Sequence, residues 1–506
     1  MQEETLMPES FTEKLRALED KLYACQYAQA LMGYDEATAA PARSEDGRAK
    51  AAEVLSRISF DALVNPDTEA LLKEAEAADL DEFTAAEVRE LRRRYEEIAR
   101  IPADEYAAFT GLVQQAVPAW GRAKRANDFA AFAPYLEKVV EGRRRQAGYF
   151  APDKDPYEAW LDRYERGLTI AQCDAFFDAL RAEILPLLKE IQSRGKPVRT
   201  DFLDRDWPLD GQKELARRVM DLWGLDPDHC VLAESEHPFT EGFWHGDVRI
   251  TTHYMKRDVL SSLYSVAHEG GHALYELHVD PACDFTVLGG GATMGLHESQ
   301  SRLFENMVGR SRAFIHWLWP VLRELFPAQT TDFTEEELYR AANRAEASLI
   351  RTEADELTYA LHIMVRYELE KALLQGTLAV RDLPAAWNAK YKEYLGVEVP
   401  DNARGVLQDI HWAGGDMGYF PSYALGSAYA AQAWDDITAK LGDGVLEAHI
   451  EKGDLSPLKD ALCTRLWQYG NSREPADLVR SLCGGEFNAK HYTDYLRRKY
   501  TELYAL

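Results

Sequence analysis

The sequence has few cysteines for its length, and no two of them lie close together. The six cysteines among the 506 residues are Cys25, Cys173, Cys230, Cys283, Cys463 and Cys483. None belongs to a CxxC pair of the kind found in zinc ribbons or thiol redox sites. Free thiols in a reducing compartment are the simplest interpretation, so we expect a cytoplasmic protein.

Long apolar runs and basic blocks are missing as well. No stretch of about 18 apolar residues that could cross a bilayer occurs. The chain starts Met1-Gln2-Glu3-Glu4-Thr5, which is acidic and unlike a signal peptide. Lysine and arginine total 58 against 85 acidic residues, a net charge of −27. Such a surface repels nucleic acid and anionic membranes, so we expect neither as a partner.

Helical periodicity is what the sequence has in quantity. Ser10 and Glu13 can form a capping box ahead of an apolar series, with Gly33 as its expected end. The arginine triplets at 92–94 and 143–145 are expected on solvated helix faces. Patterns dense in Ala, Glu, Arg and Leu predict further helices at about 47–59, 66–77, 83–99, 104–116, 128–148 and 170–193.

The chain is long enough to bury a large core, and its candidate linkers are short. These linkers lie at 152–156 and 196–208. We therefore expect a mainly α protein, with one large helical domain over residues 1–506 and a deep groove. The N-terminal helices, about residues 1–150, are expected to form a wall or lid of that groove.

One clear β signal lies at 248–254, where β-branched and aromatic residues follow a turn at 245–247. It predicts a small sheet beside the helix that carries residues 268–272. A strand in that place can pair with an extended substrate backbone through hydrogen bonds at its edge.

His268-Glu269-Gly270-Gly271-His272 is the most informative segment of the chain. Histidines four residues apart lie on one face of a helix, so both imidazoles can bind one metal ion. The flanking residues are largely apolar, which places the histidines in an interior where unpaired imidazoles would be costly. Glu269 can act on a water at the metal without being a ligand. We predict a zinc peptidase site, and Co²⁺ or Mn²⁺ would fit the same donors.

A catalytic zinc needs a third protein ligand and an open position. Glu298 follows His272 after 25 residues that include Pro281 and a glycine run at 289–291, so one helix can end and another begin. His278 occupies the last place of a metzincin HExxHxxGxxH motif, but Tyr275 stands where that motif has glycine. A continuing helix would carry His278 off the metal face. We therefore predict Glu298 as the ligand and His278 as a packing or surface residue.

Five further motifs surround this segment in order. They are HPF (237–239), DVRIT (247–251), HESQ (297–300), IRTEAD (350–355) and GVLQDIHW (405–412). Together with HEGGH, they resemble the carboxypeptidase Taq family of zinc metallocarboxypeptidases. The resemblance runs from about residue 34 to near the C-terminus.

This resemblance implies a mostly helical, saddle-like or grooved fold of gluzincin type, a homodimer, and release of single residues from peptides with a free C-terminal carboxylate. It carries the metal ligands over as His268, His272 and Glu298, and the general base as Glu269. Position 302, where many gluzincins place an acidic partner for a ligating histidine, is an arginine. We expect Glu305 or Asp355 to take that part.

The resemblance also implies roles in substrate binding. Arg351 is expected to bind the terminal carboxylate, while Arg249 would assist it or hold its own strand in place. The remaining candidates are Tyr423 and His411 as oxyanion donors and Tyr419 and His237 as substrate contacts. The alternative role for these residues, Tyr423, Tyr419 and His411, is to form structural walls of the groove.

Two rival functions share parts of this pattern. An endo-oligopeptidase or dipeptidyl carboxypeptidase would also have a helical groove with HExxH and a glutamate, and product sizes would separate it. A non-catalytic, zinc-stabilised peptide-binding scaffold would gain nothing from Glu269 and would normally close its fourth metal position. An aminopeptidase would be expected to carry a GxMEN motif, whereas segment 291–295 reads GATMG.

Overall fold

The computed structural model describes residues 10–41 and 43–506, and most of them are helical. The acidic start of the chain, Met1-Gln2-Glu3-Glu4-Thr5, lies outside these residues. Within the described part of the chain, no helix is both long and apolar enough to span a membrane.

The helices of the N-terminal half agree with the predicted patterns and extend beyond several of them. The capping box at Ser10 and Glu13 begins α1 as predicted, but α1 passes Gly33. One glycine inside a long helix costs only about 1 kcal/mol. These helices are α1 (Phe11–Thr38), α2 (Glu45–Leu63), α3 (Pro66–Ala77), α4 (Glu82–Ala99), α5 (Ala103–Ala126), α6 (Phe129–Phe150), α7 (Pro156–Tyr164), α8 (Ile170–Arg194) and α9 (Leu209–Trp223).

Three strands then form a small sheet of β1 (Cys230–Glu234), β2 (Thr240–Trp244) and β3 (Asp247–Thr252). β3 is the middle strand, parallel to β1 and antiparallel to β2. Val248 and Ile250 of β3 are fully buried. The expectation that this strand offers an edge to the substrate is therefore wrong, because both of its edges already pair with neighbouring strands. The outer edges belong to β1 and β2.

Helices return after the sheet and continue to the C-terminus. They are α10 (Val259–Leu277), α11 (Met294–Arg302), α12 (Arg312–Leu325), α13 (Glu335–Ala342), α14 (Glu356–Gln375), α15 (Leu383–Leu395), α16 (His411–Gly414), α17 (Pro421–Leu441), α18 (Val445–Ile450), α19 (Ser456–Arg465), α20 (Pro475–Cys483) and α21 (Lys490–Tyr504). A π-helical segment, Leu303–Val308, continues α11.

The helix α10 carries the HEGGH motif and packs between α9, the sheet and α11. Asp258 caps its first turn by accepting from the backbone N–H groups of Leu260 and Ser261. Trp223 at the end of α9 is fully buried, and its indole N–H donates to the Ala267 carbonyl at 3.3 Å. The motif is thereby fixed inside the apolar core.

Two glycines allow α11 to lie very close to α10 and α17. A Cβ on Gly271 of α10 would lie 2.6 Å from the Gln300 carbonyl oxygen, and one on Gly426 of α17 would lie 2.6 Å from Cγ of Glu298. Packing at this density leaves no room for a methyl group. The helix α11 is therefore held between two others, with Glu298 at the contact.

The N-terminal helices contact later segments of the chain at several places, among them the sheet and the GVLQDIHW segment. Tyr27 of α1 lies 4.8 Å from Phe243 of β2 between ring centroids. The indole N–H of Trp120 in α5 donates to the Leu407 carbonyl at 3.1 Å. The first helices thus touch both the sheet and the segment that carries the GVLQDIHW motif.

The arginine triplet at 143–145 is solvated only in part. Arg143 donates to the Gly415 carbonyl at 2.8 Å, and Arg144 donates to the Leu374 carbonyl at 3.0 Å. Only Arg145 is exposed. The expected solvated face is wrong for the first two arginines, because their long side chains reach backbone acceptors in distant segments.

We expect Gly426→Ala to destabilise the metal-free protein by about 1–3 kcal/mol, because the added methyl group would be forced into Glu298. Thermal unfolding of the purified variant measures this. Gly111→Ala is the matched control, since it lies inside α5 with no atom within 4 Å of the added Cβ. The control should be neutral or slightly stabilising. Equal stability of the two variants would contradict the close contact of α11 with α17.

Candidate active site

His268, His272 and Glu298 form one group whose possible ligand atoms all lie within 4.8 Å of one another. The Nε2 atoms of His268 and His272 lie 3.6 Å and 3.4 Å from Oε2 of Glu298. Successive turns of α10 present both imidazoles on one face, while α11 supplies the carboxylate. Two imidazole nitrogens and one carboxylate oxygen match the donor set of catalytic zinc sites with an open position. The group therefore fits a divalent metal.

The two carboxylate oxygens of Glu298 have different partners. Nε of Arg302, one turn further along, donates to Oε1 at 2.6 Å, and the Ser301 hydroxyl donates to Oε2 at 2.9 Å. Only 5% of Glu298 is exposed. Burial opposes ionisation, but Arg302 and the two histidines hold the pKa of Glu298 well below its ordinary value. Glu298 is therefore an ionised carboxylate in a fixed orientation.

His268 is oriented by Glu305 of the π-helical segment. Nδ1 of His268 lies 2.9 Å from Oε2 of Glu305, which also accepts from Arg302 at 3.3 Å and whose Oε1 accepts from Arg310 at 3.0 Å. Burial opposes ionisation here too, but His268 and the two arginines hold the pKa of Glu305 well below its usual range. An ionised acceptor at Nδ1 keeps the proton on that nitrogen and leaves Nε2 free for a metal.

Glu269 lies beside the three-donor group without belonging to it. It is 6% exposed, and its Oε2 atom accepts from the Thr240 hydroxyl of β2 at 2.6 Å. Burial raises the pKa of Glu269 above its ordinary value. A buried carboxylate with a raised pKa and a fixed orientation suits a general base.

Arg351 is held by two partners and is only 7% exposed. Its Nε donates to Asp409 at 2.9 Å, and its Nη1 donates to the Tyr359 hydroxyl at 3.0 Å. Asp409 also accepts from Nε of the fully buried Arg366 at 2.7 Å. Nη2 of Arg351 has no hydrogen-bond partner among residues 10–41 and 43–506. One carboxylate therefore faces two guanidinium groups, which leaves an excess of positive charge.

Tyr423, Tyr419 and His411 pack together at the start of α17. Nε2 of His411 lies 3.2 Å from the Tyr423 hydroxyl, and the Tyr419 ring lies 5.6 Å and 5.0 Å from the rings of His411 and Tyr423. Burial, together with the charge of Arg351, lowers the pKa of His411 to about 4. Burial raises the pKa of Tyr423 well above its ordinary value. Both groups are therefore uncharged at neutral pH, and Tyr423 keeps its hydroxyl proton.

A cavity of about 880 Å³ brings most of the predicted site together. His237 also contributes to it, as an exposed side chain. Tyr419 and His411 are not among the residues that line it and lie against Tyr423 instead. The predicted residues that line this cavity with His237 are His268, Glu269, Glu298, Arg351 and Tyr423, together with the two predicted acidic partners, Glu305 and Asp355.

Arg249 does not join Arg351 in the cavity lining. Its guanidinium forms two hydrogen bonds with Asp247 of the same strand, at 2.9 Å and 2.8 Å. It also lies over the rings of Tyr34 and Phe243. Of its two expected roles, the contacts match the one that holds the strand, and they tie β3 to α1 and β2.

Two other expectations can be compared with the positions of the side chains. His278 follows the last residue of α10, where Nδ1 lies 2.8 Å from the Leu274 carbonyl oxygen and the ring packs on Trp467. It is therefore a packing residue, as predicted. Asp355 caps α14 by accepting from the backbone N–H groups of Leu357 and Thr358, and Glu305 occupies the place beside His268.

Sequence reasoning missed several residues that contact the site. Thr240 and Tyr359 give no local signal, because their partners are distant in the chain. His297 belongs to the HESQ motif but carries no predicted role, and Glu276 lies outside all of the motifs. Glu276 lies four residues after His272, and this spacing, the same as that between His268 and His272, could have identified it.

The comparisons with known proteins agree on one family. The model of the carboxypeptidase Taq (M32) metallopeptidases matches residues 14–500. Carboxypeptidase 1 of Bacillus subtilis (strain 168) is 39% identical over 485 residues, which cover 95% of this chain and 96% of that protein. Thermostable carboxypeptidase 1 of Thermus thermophilus is 36% identical over 488 residues, covering 94% and 95%. The crystal structure of an M32 carboxypeptidase from Deinococcus radiodurans R1 superimposes with a TM-score of 0.95 at 39% identity, covering 98% and 100%.

The lowered pKa of His411 predicts how stability depends on pH. Its folded value of about 4 lies below the ordinary value, so its contribution is fully present above about pH 6.5 and is lost as the pH falls through about 4. We expect His411→Gln to lose less stability than the parent between pH 6.5 and 4, by up to about 3 kcal/mol.

Thermal unfolding of the metal-free proteins at several pH values measures this difference. His316→Gln, which replaces an exposed histidine beside Glu335, is the matched control and should follow the parent. If His411→Gln also follows the parent over the whole range, His411 is not held neutral by burial.

Proposed function

The chain belongs to the carboxypeptidase Taq (M32) family of metallopeptidases, and we propose that its cavity releases single amino acids from peptides with a free C-terminal carboxylate. The observation that carries the proposal is that His268 and Glu298 of the three-donor group line the same cavity as Arg351. A metal site can cleave a peptide bond, and a buried guanidinium can bind the carboxylate at the C-terminus of a peptide substrate. Their combination in one cavity favours an exopeptidase.

We propose His268, His272 and Glu298 as the metal ligands. Each is buried or half-buried, and the contacts described above fix the orientation of His268 and Glu298. Zn²⁺ suits this donor set, and Co²⁺ and Mn²⁺ would fit it as well. When bound, the metal would polarise the scissile carbonyl and acidify a water molecule.

Glu269 is the proposed general base. It would take a proton from the attacking water and return it to the leaving amine. The Thr240 hydroxyl at 2.6 Å fixes the direction of the carboxylate. The raised pKa of Glu269 helps it to hold the proton between the two transfers.

Arg351 is the proposed anchor for the substrate carboxylate. Because Asp409 is shared with Arg366, the cluster of these three side chains has one negative group for two positive ones. His411 beside them is uncharged at neutral pH, since its pKa is about 4. A substrate carboxylate would restore the balance, and a charge-assisted hydrogen bond of this type contributes about 1.5–3 kcal/mol.

Tyr423 is the proposed donor to the developing oxyanion. It lines the cavity, and its hydroxyl keeps its proton because burial raises the pKa of the phenol. A donor of this kind contributes on the order of 2.7–4 kcal/mol in acyl transfer. His411 and Tyr419 would then orient Tyr423 rather than contact the substrate.

The N-terminal helices are proposed as an outer wall of the groove. The residues that line the cavity begin at Thr200, so these helices stand outside it and touch its surroundings through α1 and α5. The homodimer, the cytoplasmic location and the absence of nucleic-acid and membrane partners stay predictions.

We expect the parent protein to shorten an unmodified peptide of about ten residues one residue at a time from its C-terminus. Mass spectrometry of the products follows this ladder, which a chelator should abolish and added zinc or cobalt restore. Glu269→Gln is the control variant and should keep its metal but produce no ladder. Internal or two-residue cuts would favour the oligopeptidase alternative, and no cleavage at full metal occupancy would favour the scaffold.

Arg351→Ala should lower kcat/KM for a free C-terminus by about 10- to 150-fold, the equivalent of the lost charge-assisted bond. The rate on the matching C-terminal amide should change little, so the preference for the acid over the amide disappears. Arg344→Ala is the control, because Arg344 lines the same cavity but is exposed and paired with Glu346. If the control loses the preference instead, the anchor is Arg344.

A further inference from the structure

The second proposed ligand histidine, His272, is oriented by a different set of hydrogen bonds from the one that orients His268. Its Nδ1 atom lies 2.5 Å from Nδ1 of His297, and Nε2 of His297 lies 2.6 Å from Oε1 of Glu276. Nδ1 of His268 contacts the Glu305 carboxylate directly, whereas Nδ1 of His272 reaches a carboxylate only through a second imidazole. Glu276 lies one turn beyond His272 on α10.

The directions of these hydrogen bonds follow from Glu276, the acceptor at the end of the series His272, His297 and Glu276. Burial opposes ionisation of Glu276, but His297 and the Gly291 backbone N–H hold its pKa below the ordinary value. An ionised Glu276 can only accept, so Nε2 of His297 must carry a proton and donate it. The two Nδ1 atoms lie at hydrogen-bond distance, so one must donate to the other, and with the His297 proton placed on Nε2 the donor is Nδ1–H of His272. This leaves the lone pair of Nε2 of His272 free for a metal.

The surrounding backbone is shaped to fit the two side chains. Glu276 also accepts from the Gly291 N–H at 3.1 Å. A Cβ on Gly242 of β2 would lie 2.6 Å from a carboxylate oxygen of Glu276, and a Cβ on Gly291 would overlap the His297 ring. The glycine run predicted to separate two helices therefore also makes room for these two side chains.

We propose that His297 and Glu276 are positioning residues that hold His272 in the tautomer able to bind the metal. The inference rests on the proposed function, since it needs His272 to be a ligand. Neither residue touches the reacting atoms: Glu276 fixes the tautomer of His297, and His297 fixes that of His272. Carboxylates that orient a ligating histidine typically change metal affinity by about 10- to 100-fold, and here the effect would pass through two hydrogen bonds.

The test compares the metal-free parent with Glu276→Ala, Glu276→Gln and His297→Ala. Zn²⁺ affinity is measured by competition with a chromophoric chelator, and the visible absorption of Co²⁺ reports the geometry of the ligands. Glu241→Ala is the matched control, because Glu241 is a half-buried carboxylate on β2 whose charge acts on the same region as Glu276. Thermal unfolding of each metal-free variant identifies any that does not fold.

We expect Glu276→Ala and His297→Ala to weaken Zn²⁺ binding about 10- to 100-fold and to change the Co²⁺ spectrum. Glu276→Gln keeps an acceptor oxygen for His297 and should recover most of the affinity, while Glu241→Ala should match the parent. Parent-like affinity and spectrum in folded Glu276→Ala and His297→Ala would overturn the inference alone. A parent protein that binds no Zn²⁺ or Co²⁺ would overturn the proposed function and this inference with it.

Discussion

A single guanidinium, that of Arg302, connects the parts of the candidate site. It lies between Glu298 and Glu305, the proposed ligand and the acid that orients His268, and its face packs on Tyr359 at 4.1 Å. Buried charges are costly unless they are paired, so loss of Arg302 would leave two carboxylates repelling each other beside an incoming metal. The position where related sites often place an acid thus holds a cation that keeps two acids ionised and in place.

Tyr359 links the network of Arg302, Glu298 and Glu305 to a second network, formed by Arg351, Asp409 and Arg366. Its ring receives Arg302, and its hydroxyl accepts from Arg351, which shares Asp409 with Arg366. The first network pairs its carboxylates with arginines, whereas the second has more cations than anions. A metal cation suits the first and a substrate carboxylate suits the second. Under the roles proposed for these residues, exopeptidase specificity would follow from where the buried charges fail to cancel.

The sequence predicted the parts of this arrangement that depend on local spacing. The four-residue interval of His268 and His272, the break that lets Glu298 return on a second helix, and the capping box of α1 are all short-range features. Contacts between distant segments were not predictable in this way. The 248–254 strand signal was correct in type but gave no information on which strands would pair with it, so its central position was missed.

Long side chains account for the other differences. Arginine has enough length to leave a polar helix face and reach a buried acceptor, as Arg143 does, so local charge patterns describe it poorly. The same limit applies to motif residues: His411 and Arg351 come from motifs of similar kind, but only Arg351 lines the cavity. Glu276 shows the opposite case. Its interval from His272 is readable in the sequence, but the contact between them depends on His297 of α11, whose imidazole connects Glu276 to His272.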